Sequence, residues 1–499
     1  MIPAVMIRAI ELNLRTPAQV LQAAKDEENP ITSSMTLVML LEAGVLDAEQ
    51  SAEARTLAIQ RIEPQLANNR HGHQYDAKRL LPRLFPLVDG TQLNAVFDLM
   101  LEHGLDFGAP VDLIAETLQV KHWERLVAYA QERPTGPGAW RKPTGLVYRM
   151  MSHVPQEHIP ALVDDALSRD GLAHQVAGYI KNLAPWVNPA QALRLLEKTQ
   201  AMEPDAYYTS HRGECMAALA VSLPREGMEV ILAHARNYDG GQPYVPPLIV
   251  SAAVSRGRSL LHEAVTLICQ LEGYWQVNEM LANLVPYLPH TDYVSKLVAF
   301  VEMAPAQDYH HTVYPLLPLV DDIERDRLVQ TGIDNLMDVL AADPDSISDE
   351  YRVGSFRRIA PHITANTLDA ALNKLVQIKS HRERCYMYID LLPVVPAERR
   401  HEVMRLALDV ADGSTLAPNI VGSNGALQRL APHLESDLLE EAFAGAVFPR
   451  MPDYIQQMED TMGRSFKNDY IRGGNGVLAA LAPKMTTDMV QALLERDGV

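Results

Sequence analysis

Cysteine is almost missing from this chain, with three residues in 499. Cys215, Cys269 and Cys385 lie far apart and form no paired motif, which excludes a disulfide framework and fits a reducing cytoplasm. Long apolar runs are also missing. No stretch approaches the roughly 20 apolar residues of a membrane span, and Met1 to Arg15 is broken by Arg8, Glu11 and Asn13, unlike a secretory signal. Basic residues are scarce beside acidic ones, 44 against 63, giving a net charge of −19. A field of that sign repels anionic membranes and disfavours nucleic acid as a partner. At 499 residues a single core is also excluded, because cores stop growing near roughly 250–300 residues.

Against these absences stands a repeated apolar stripe. Its plainest copies are 284–288 (LVPYL), 316–320 (LLPLV), 430–434 (LAPHL) and 481–485 (LAPKM). The anchoring position falls at Pro86, Ser152, Pro185, Val221, Pro286, Pro318, Pro361, Pro393, Pro432 and Pro483. Five residues before it stand Leu81, Val147, Ile180, Met216, Leu281, Val313, Phe356, Tyr388, Leu427 and Leu478. Two residues after it stand Val88, Val154, Val187, Leu223, Leu288, Val320, Ile363, Val395, Leu434 and Met485. With the two apolar residues just before the anchor, the offsets are i, i+3, i+4 and i+7, one face of an α-helix. The anchor lies about 150° around the helix from the start of the stripe. Proline there removes a hydrogen bond and clashes with the preceding turn, so each anchor predicts a kink or an early helix end.

Seven residues before the anchor, Gly145, Gly178, Gly354, Gly425 and Gly476 share a column. Glycine there predicts either close approach of a neighbouring helix or the end of a loop. The segments 422–425 (GSNG) and 473–476 (GGNG) point to duplication. Anchors are mostly 32 to 43 residues apart. Two gaps of double length predict degraded units near Trp123 to Ala130 and Leu248 to Val254. Each unit holds a second helix behind its anchor: 93–101, 190–202, 293–303, 325–340 and 401–411. The predicted fold is therefore all-α, a right-handed α-solenoid of stacked helix pairs with about ten to twelve repeats. It would extend on the order of 100 Å. Residues 1–74 are expected to form an N-terminal helical cap, in which Thr16-Pro17 opens one helix and Gly44 ends another. Residues 75–499 form the solenoid, with a hinge loop at 133–145 and an insertion at 448–475. The stretch 237–247 (NYDGGQPYVPP) breaks the rhythm in the same way.

Reactive chemistry is sparse. His71, His73 and Asp76 could hold a metal if their loop were extended, but a solvated loop is the simpler reading. His310-His311 begins a motif helix and is read as structural. Residues 343–350 (DPDSISDE) resemble a calcium loop but lack its central glycine and distal glutamate, so they read as a capped turn. His381, Arg382 and Arg384 are expected to lower the pKa of Cys385. Residues 473–476 follow no predicted strand and lack the Lys-Ser/Thr ending of a phosphate loop. No catalytic set and no cofactor emerges.

One constellation points to binding. Three residues before the anchor come Arg83, Arg149, Asn182, Asn283, Arg358 and Arg429. One residue after it come His153, Trp186, Tyr287, His362, His433 and Lys484. The columns are i and i+4 apart and make one ridge, opposite the buried stripe. Stacked across layers, Arg83, Arg149, His153, Trp186, Tyr287, Arg358, His362, Arg429 and His433 are the candidate partner-binding residues. Such a ladder suits an acidic or extended peptide, with Trp186 and Tyr287 as anchors. Leu87, Leu319 and Val394 interrupt it.

The Leu-Ala-Pro-x-Leu pattern followed by an amphipathic helix resembles HEAT-like and tetratricopeptide-like repeats. Proline in the first helix is the HEAT-like trait, and the Trp/Gly/Tyr pattern of tetratricopeptide units is missing. It is also similar to helical repeats found beside NTPase or caspase-like protease modules in bacterial signalling and defence proteins, although those modules are missing here. The resemblance implies a non-enzymatic cytoplasmic scaffold or regulator that binds a protein or peptide partner, such as a protease or signalling protein. It leaves two alternatives open: a regulatory protein cleaved by a partner caspase-like protease, and an all-helical enzyme with a site in the concave groove.

Overall fold

Proline cannot donate the hydrogen bond that the next helical turn requires, and the chain stops its helices where the anchors stand. The computed structural model describes residues 2–67, 71–103, 111–131, 147, 150–169, 173–202, 211–240, 242–274, 276–289, 292–342, 349–378, 381–411, 426–447 and 477–497. Among them every regular element is helical and none is a strand. Six anchoring prolines occupy the second position of a short 3₁₀ turn, as in Phe85–Leu87, Val285–Tyr287, Leu317–Leu319, Ala360–His362, Ala431–His433 and Ala482–Lys484. Pro185, Val221 and Pro393 lie in turns directly behind Ala173–Leu183, His211–Leu219 and His381–Leu391.

The stripe is the core. Leu81, Ile180, Met216, Leu281, Val313 and Phe356 have no accessible surface, and Val88, Val187, Leu288, Ile363 and Leu434 are buried behind their anchors. Apart from half-buried Pro86, the anchoring residues are exposed. Burial of each such side chain contributes about 1.5–3 kcal/mol toward holding its helix against its neighbours.

Second helices begin with their own caps. Asn188 accepts from the backbone N–H of Gln191, which returns its side chain to the cap. Thr16 and Gln19 make the same capping box in front of Pro17–Asp26. The openings Thr16-Pro17-Ala18-Gln19 and Asn188-Pro189-Ala190-Gln191 differ at one residue. Pro3–Glu11 with Pro17–Asp26, and Pro30–Glu42 with Ala48–Leu66, are thus helix pairs of the same design as those that follow. A separate cap over 1–74 is not what distinguishes this segment. Gly44 ends Pro30–Glu42 in the left-handed conformation, φ 62°, where glycine carries no Cβ penalty.

The chain divides into two compact units, residues 1–92 with 326–499, and residues 93–325. In the second unit, the first helices Ala173–Leu183, His211–Leu219, Val245–Ala253, Val277–Leu284 and Ala306–Val313 pack successively on one another. The unit expected to be degraded near Leu248 is complete. Val245–Ala253 ends in the 3₁₀ turn Val254–Arg256, with Ser255 where others carry proline. The other double gap holds Val120–Gln131, whose buried residues are His122, Trp123, Leu126, Val127 and Ala130.

In the first unit, Asp349–Ile359, His381–Leu391 and Ala426–Leu430 follow one another, as do Pro3–Glu11, Pro30–Glu42 and His71–Leu84. The first helix, Pro3–Glu11, packs on the last helix, Thr487–Asp497, and on the turn Ala482–Lys484. The junction copies the tie between ordinary layers. Arg256 donates to the Leu223 carbonyl at 3.0 Å and Lys484 donates to the Leu434 carbonyl at 3.0 Å. Arg8 donates to the Met485 carbonyl at 3.2 Å. Each acceptor lies two residues beyond an anchor, where a helix end leaves carbonyls unsatisfied.

Second helices are laced by surface ion pairs within each unit: Arg125–Asp98, Arg194–Asp164 and Arg236–Glu263 in one, Lys25–Glu53, Lys374–Asp334 and Arg399–Asp369 in the other. Exposed pairs of this kind contribute about 0–1 kcal/mol each and help fix register more than stability. Of the glycine column, Gly145, Gly425 and Gly476 lie outside the described residues, and no neighbouring helix closely approaches the other two. A Cβ on Gly178 or Gly354 would meet nothing within 4 Å. Close approach occurs instead at Gly213, where a Cβ would lie 2.6 Å from a Val245 methyl group.

His122 gives the fold an acid sensitivity. Its ring is wholly buried, accepts from the Gln119 backbone N–H at Nδ1, and faces Asn94 Oδ1 at 3.0 Å through Nε2. That arrangement needs the neutral ring with its proton on Nε2. Burial, then Lys121 and Arg125, push its pKa below the ordinary value. The unfolded chain therefore binds the proton more tightly. This contribution is complete above about pH 6.5 and is lost as the pH falls below it. Urea unfolding of the wild type is expected to show a midpoint that drops between about pH 7.5 and pH 5.5. In His122→Gln the drop should be smaller, and an equal drop would remove His122 as its source.

Candidate functional site

The ridge columns sit at the ends of the first helices, so the turns that carry them decide what they meet. In the second unit three successive turns are tied to each other. Gln156 donates to the Trp186 carbonyl at 3.3 Å, and the Ser222 hydroxyl donates to the Ala184 carbonyl at 2.5 Å. Arg256 continues the line through its bond to Leu223 O. Along this edge Trp186 is 38 % and Val221 is 47 % exposed, on adjacent tied turns. His153, on the preceding turn, meets Asp112 at 2.8 Å. Tyr287 lies half-buried in its 3₁₀ turn further along the chain. A rigid edge with exposed apolar side chains between polar neighbours can bury an apolar partner residue at low ordering cost.

In the first unit the arginine column is engaged between layers. Arg83 donates through Nε to Glu42 Oε1 at 2.9 Å, joining His71–Leu84 to Pro30–Glu42. Arg429 stands 3.7 Å from Asp390 and stacks 4.6 Å above the Tyr386 ring. Arg357 donates to the two oxygens of the same Asp390 at 3.1 and 3.3 Å. Asp390 occupies the column three before its anchor, so Arg358, Asp390 and Arg429 alternate in sign over three consecutive copies. Reading only the basic members of the column missed the acid that meets Arg429 and, just outside the column, Arg357. The alternation was the available signal. Burial pushes the Asp390 carboxyl above the ordinary carboxylate value, against the opposing pull of Arg357 and Arg429.

The ridge is consequently no free outward ladder. Arg358, His362 and His433 are half-buried. Burial, then Arg400 and Lys484, lower the pKa of His433, so it adds no positive charge near pH 7. Arg149 lies outside the described residues.

Other sequence candidates resolve differently. Cys385 is wholly buried, and burial pushes its thiol up to about 12 against the opposing pull of Arg429, where its basic sequence neighbours predict a lowered value. Residues 71–76 open the helix His71–Leu84 and form no extended loop, which removes the premise of a metal site there. His310 is buried in Ala306–Val313. Residues 133–145, 343–348 and 448–476 lie outside the described residues. Among the described residues no three His, Cys, Asp or Glu side chains converge as a metal would need. No described helix is long and apolar enough to cross a membrane.

A further cluster joins Lys181, Glu214 and Gln276. Lys181 meets Glu214 at 2.9 Å, and Gln276, in the left-handed conformation at φ 59°, donates to Glu214 at 3.2 Å. Burial, aided by Glu214 and opposed by Lys181, raises the pKa of nearby Glu279. The group ties Ala173–Leu183 to His211–Leu219 and to the start of Val277–Leu284.

No protein-family model matches this sequence, and a search of curated proteins finds no match.

Proposed function

We propose that this protein is a non-enzymatic α-solenoid scaffold or regulator that binds a protein partner along the turn edge of its helix pairs. The observation that carries the reading is the tied edge of the second unit, with Trp186 and Val221 exposed on adjacent turns. Repeated helix pairs that contact their neighbours build an extended, stiff surface. Aromatic side chains on such a surface are the usual energetic centre of a protein interface. The acidic net charge supports a protein rather than a nucleic-acid partner. A cytoplasmic setting and a role in bacterial signalling or defence belong to the same proposal and rest on the repeat resemblance.

The test is affinity capture from a native lysate, using the intact chain and a variant carrying Trp186→Ala and Tyr287→Ala. The expected result is a protein retained by the intact chain and reduced at least about tenfold on the variant, with unchanged helical circular dichroism. Equal recovery on both would refute the edge as the binding surface.

A further inference from the structure

In the first unit two arginines from different helices approach a single carboxylate. Asp390 has a side chain only 9 % exposed, yet two guanidinium groups converge on it from either side. Arg357, from Asp349–Ile359, engages it through Nε alone. Arg429, from Ala426–Leu430, is placed by the Tyr386 ring at 4.6 Å and makes only a longer approach to Asp390. Arg357 is 51 % and Arg429 33 % exposed. Among the described residues their terminal N–H groups make no hydrogen bond. One carboxylate thus meets two cations, and it engages Arg357 through Nε. Guanidinium groups with terminal donors still unfilled can meet a further carboxylate in planar, bidentate geometry.

We propose that Arg357 and Arg429 form a clamp for a side-chain carboxylate of an acidic peptide, with Asp390 and Tyr386 as positioning residues. This rests on the partner-binding reading above and specifies the partner's chemistry. A peptide fits better than nucleic acid for an electrostatic reason. Two arginines offset by Asp390 leave a small local positive charge on a chain of net charge −19. A phosphate backbone carries a charge about every 1.7–3.4 Å. It would meet that repulsion along its whole length, whereas a peptide can place its acids only where the clamp accepts them.

The experiment measures fluorescence anisotropy of a labelled peptide carrying a glutamate pair in a serine–alanine background, titrated with the full chain at low ionic strength. A matched glutamine peptide and a single-stranded oligonucleotide of equal length accompany it. The glutamate peptide is expected to bind at least about tenfold more tightly than the glutamine peptide. Arg357→Gln with Arg429→Gln should lose that preference. Because this double variant strands a buried carboxylate, Arg357→Lys with Arg429→Lys is measured too. It keeps the charge and loses the fork, and it should also bind several-fold more weakly. Asp390→Asn makes the site more positive but releases both guanidinium groups, and the clamp requires it to weaken binding. Arg125→Gln with Arg194→Gln, on other helices, should leave binding unchanged. Tighter binding by Asp390→Asn, equal loss in the Arg125/Arg194 variant, or preference for the oligonucleotide would overturn the clamp. Retained partner capture with no glutamate preference would remove the clamp and leave the scaffold reading standing. Glutamate preference with no captured partner would do the reverse.

Discussion

Replacing Leu493 by Asp is expected to destabilise the first unit by about 3–5 kcal/mol and to loosen the helix at the other end of the sequence. Leu493 is 1 % exposed in Thr487–Asp497. A carboxylate there has no partner and must be buried charged, take up a proton, or force the helix away. The second half of the expectation is specific to this fold. Pro3–Glu11 packs on Thr487–Asp497 and is tied to it through Arg8 and the Met485 carbonyl. A nine-residue helix is marginal in water and depends on what covers its buried face, here Val5, Met6 and Ala9. Hydrogen exchange should therefore show amides at positions 5–12 losing protection in Leu493→Asp, or when residues 486–499 are deleted. In a row with free ends, the loss would spread only to the preceding pair, Ala426–Leu430 and Ser436–Val447. Protection at 5–12 that survives both changes would refute the junction.

Arg169→Ala should cost the second unit about 3–5 kcal/mol, far more than loss of any surface ion pair. The Arg169 guanidinium donates to Asp165 at 2.9 Å and to the Ala130 carbonyl at 2.5 Å, and lies 4.6 Å above the Tyr179 ring. Side-chain exposure is 13 % for Arg169 and 4 % for Asp165. One guanidinium thereby joins the end of Val120–Gln131, the end of Ile159–Ser168 and the face of Ala173–Leu183. Truncation would take the guanidinium from a buried carboxylate and orphan a helix-terminal carbonyl together. Arg169→Met with Asp165→Asn should be less damaging than Arg169→Ala alone, because no buried carboxylate then loses its guanidinium. Denaturant unfolding of the single and double variants checks the order. A single variant within about 1 kcal/mol of wild type would show that the pair is not coupled to folding.

Arginine plays three parts here that look alike in sequence. Arg125 and Arg194 form exposed pairs between second helices. Arg169 is sunk among three helices. Arg357 and Arg429 share one buried carboxylate and stay partly exposed, 51 % and 33 %. Residue type and column alone do not separate these roles, because each depends on how much water the neighbouring helix excludes.

What the sequence by itself determined is local. An i, i+3, i+4, i+7 stripe forces a helix to bury one face, proline stops that helix, and Thr16, Asn188 and Gly44 mark ends through their own backbone chemistry. These features need only residues within a few turns, so the first helices, their 3₁₀ ends and their buried side chains were legible. The tertiary structure alone decided which faces meet. Apolar stripes are mutually interchangeable, and nothing in their pattern says that Pro3–Glu11 covers Thr487–Asp497. Likewise Cys385 looked activated beside three basic neighbours, and burial reversed that, because desolvation depends on the surrounding layers rather than on adjacent residues. Side-chain type fixed where helices begin and end, while partner choice followed from three-dimensional packing, which brings together residues the chain keeps far apart.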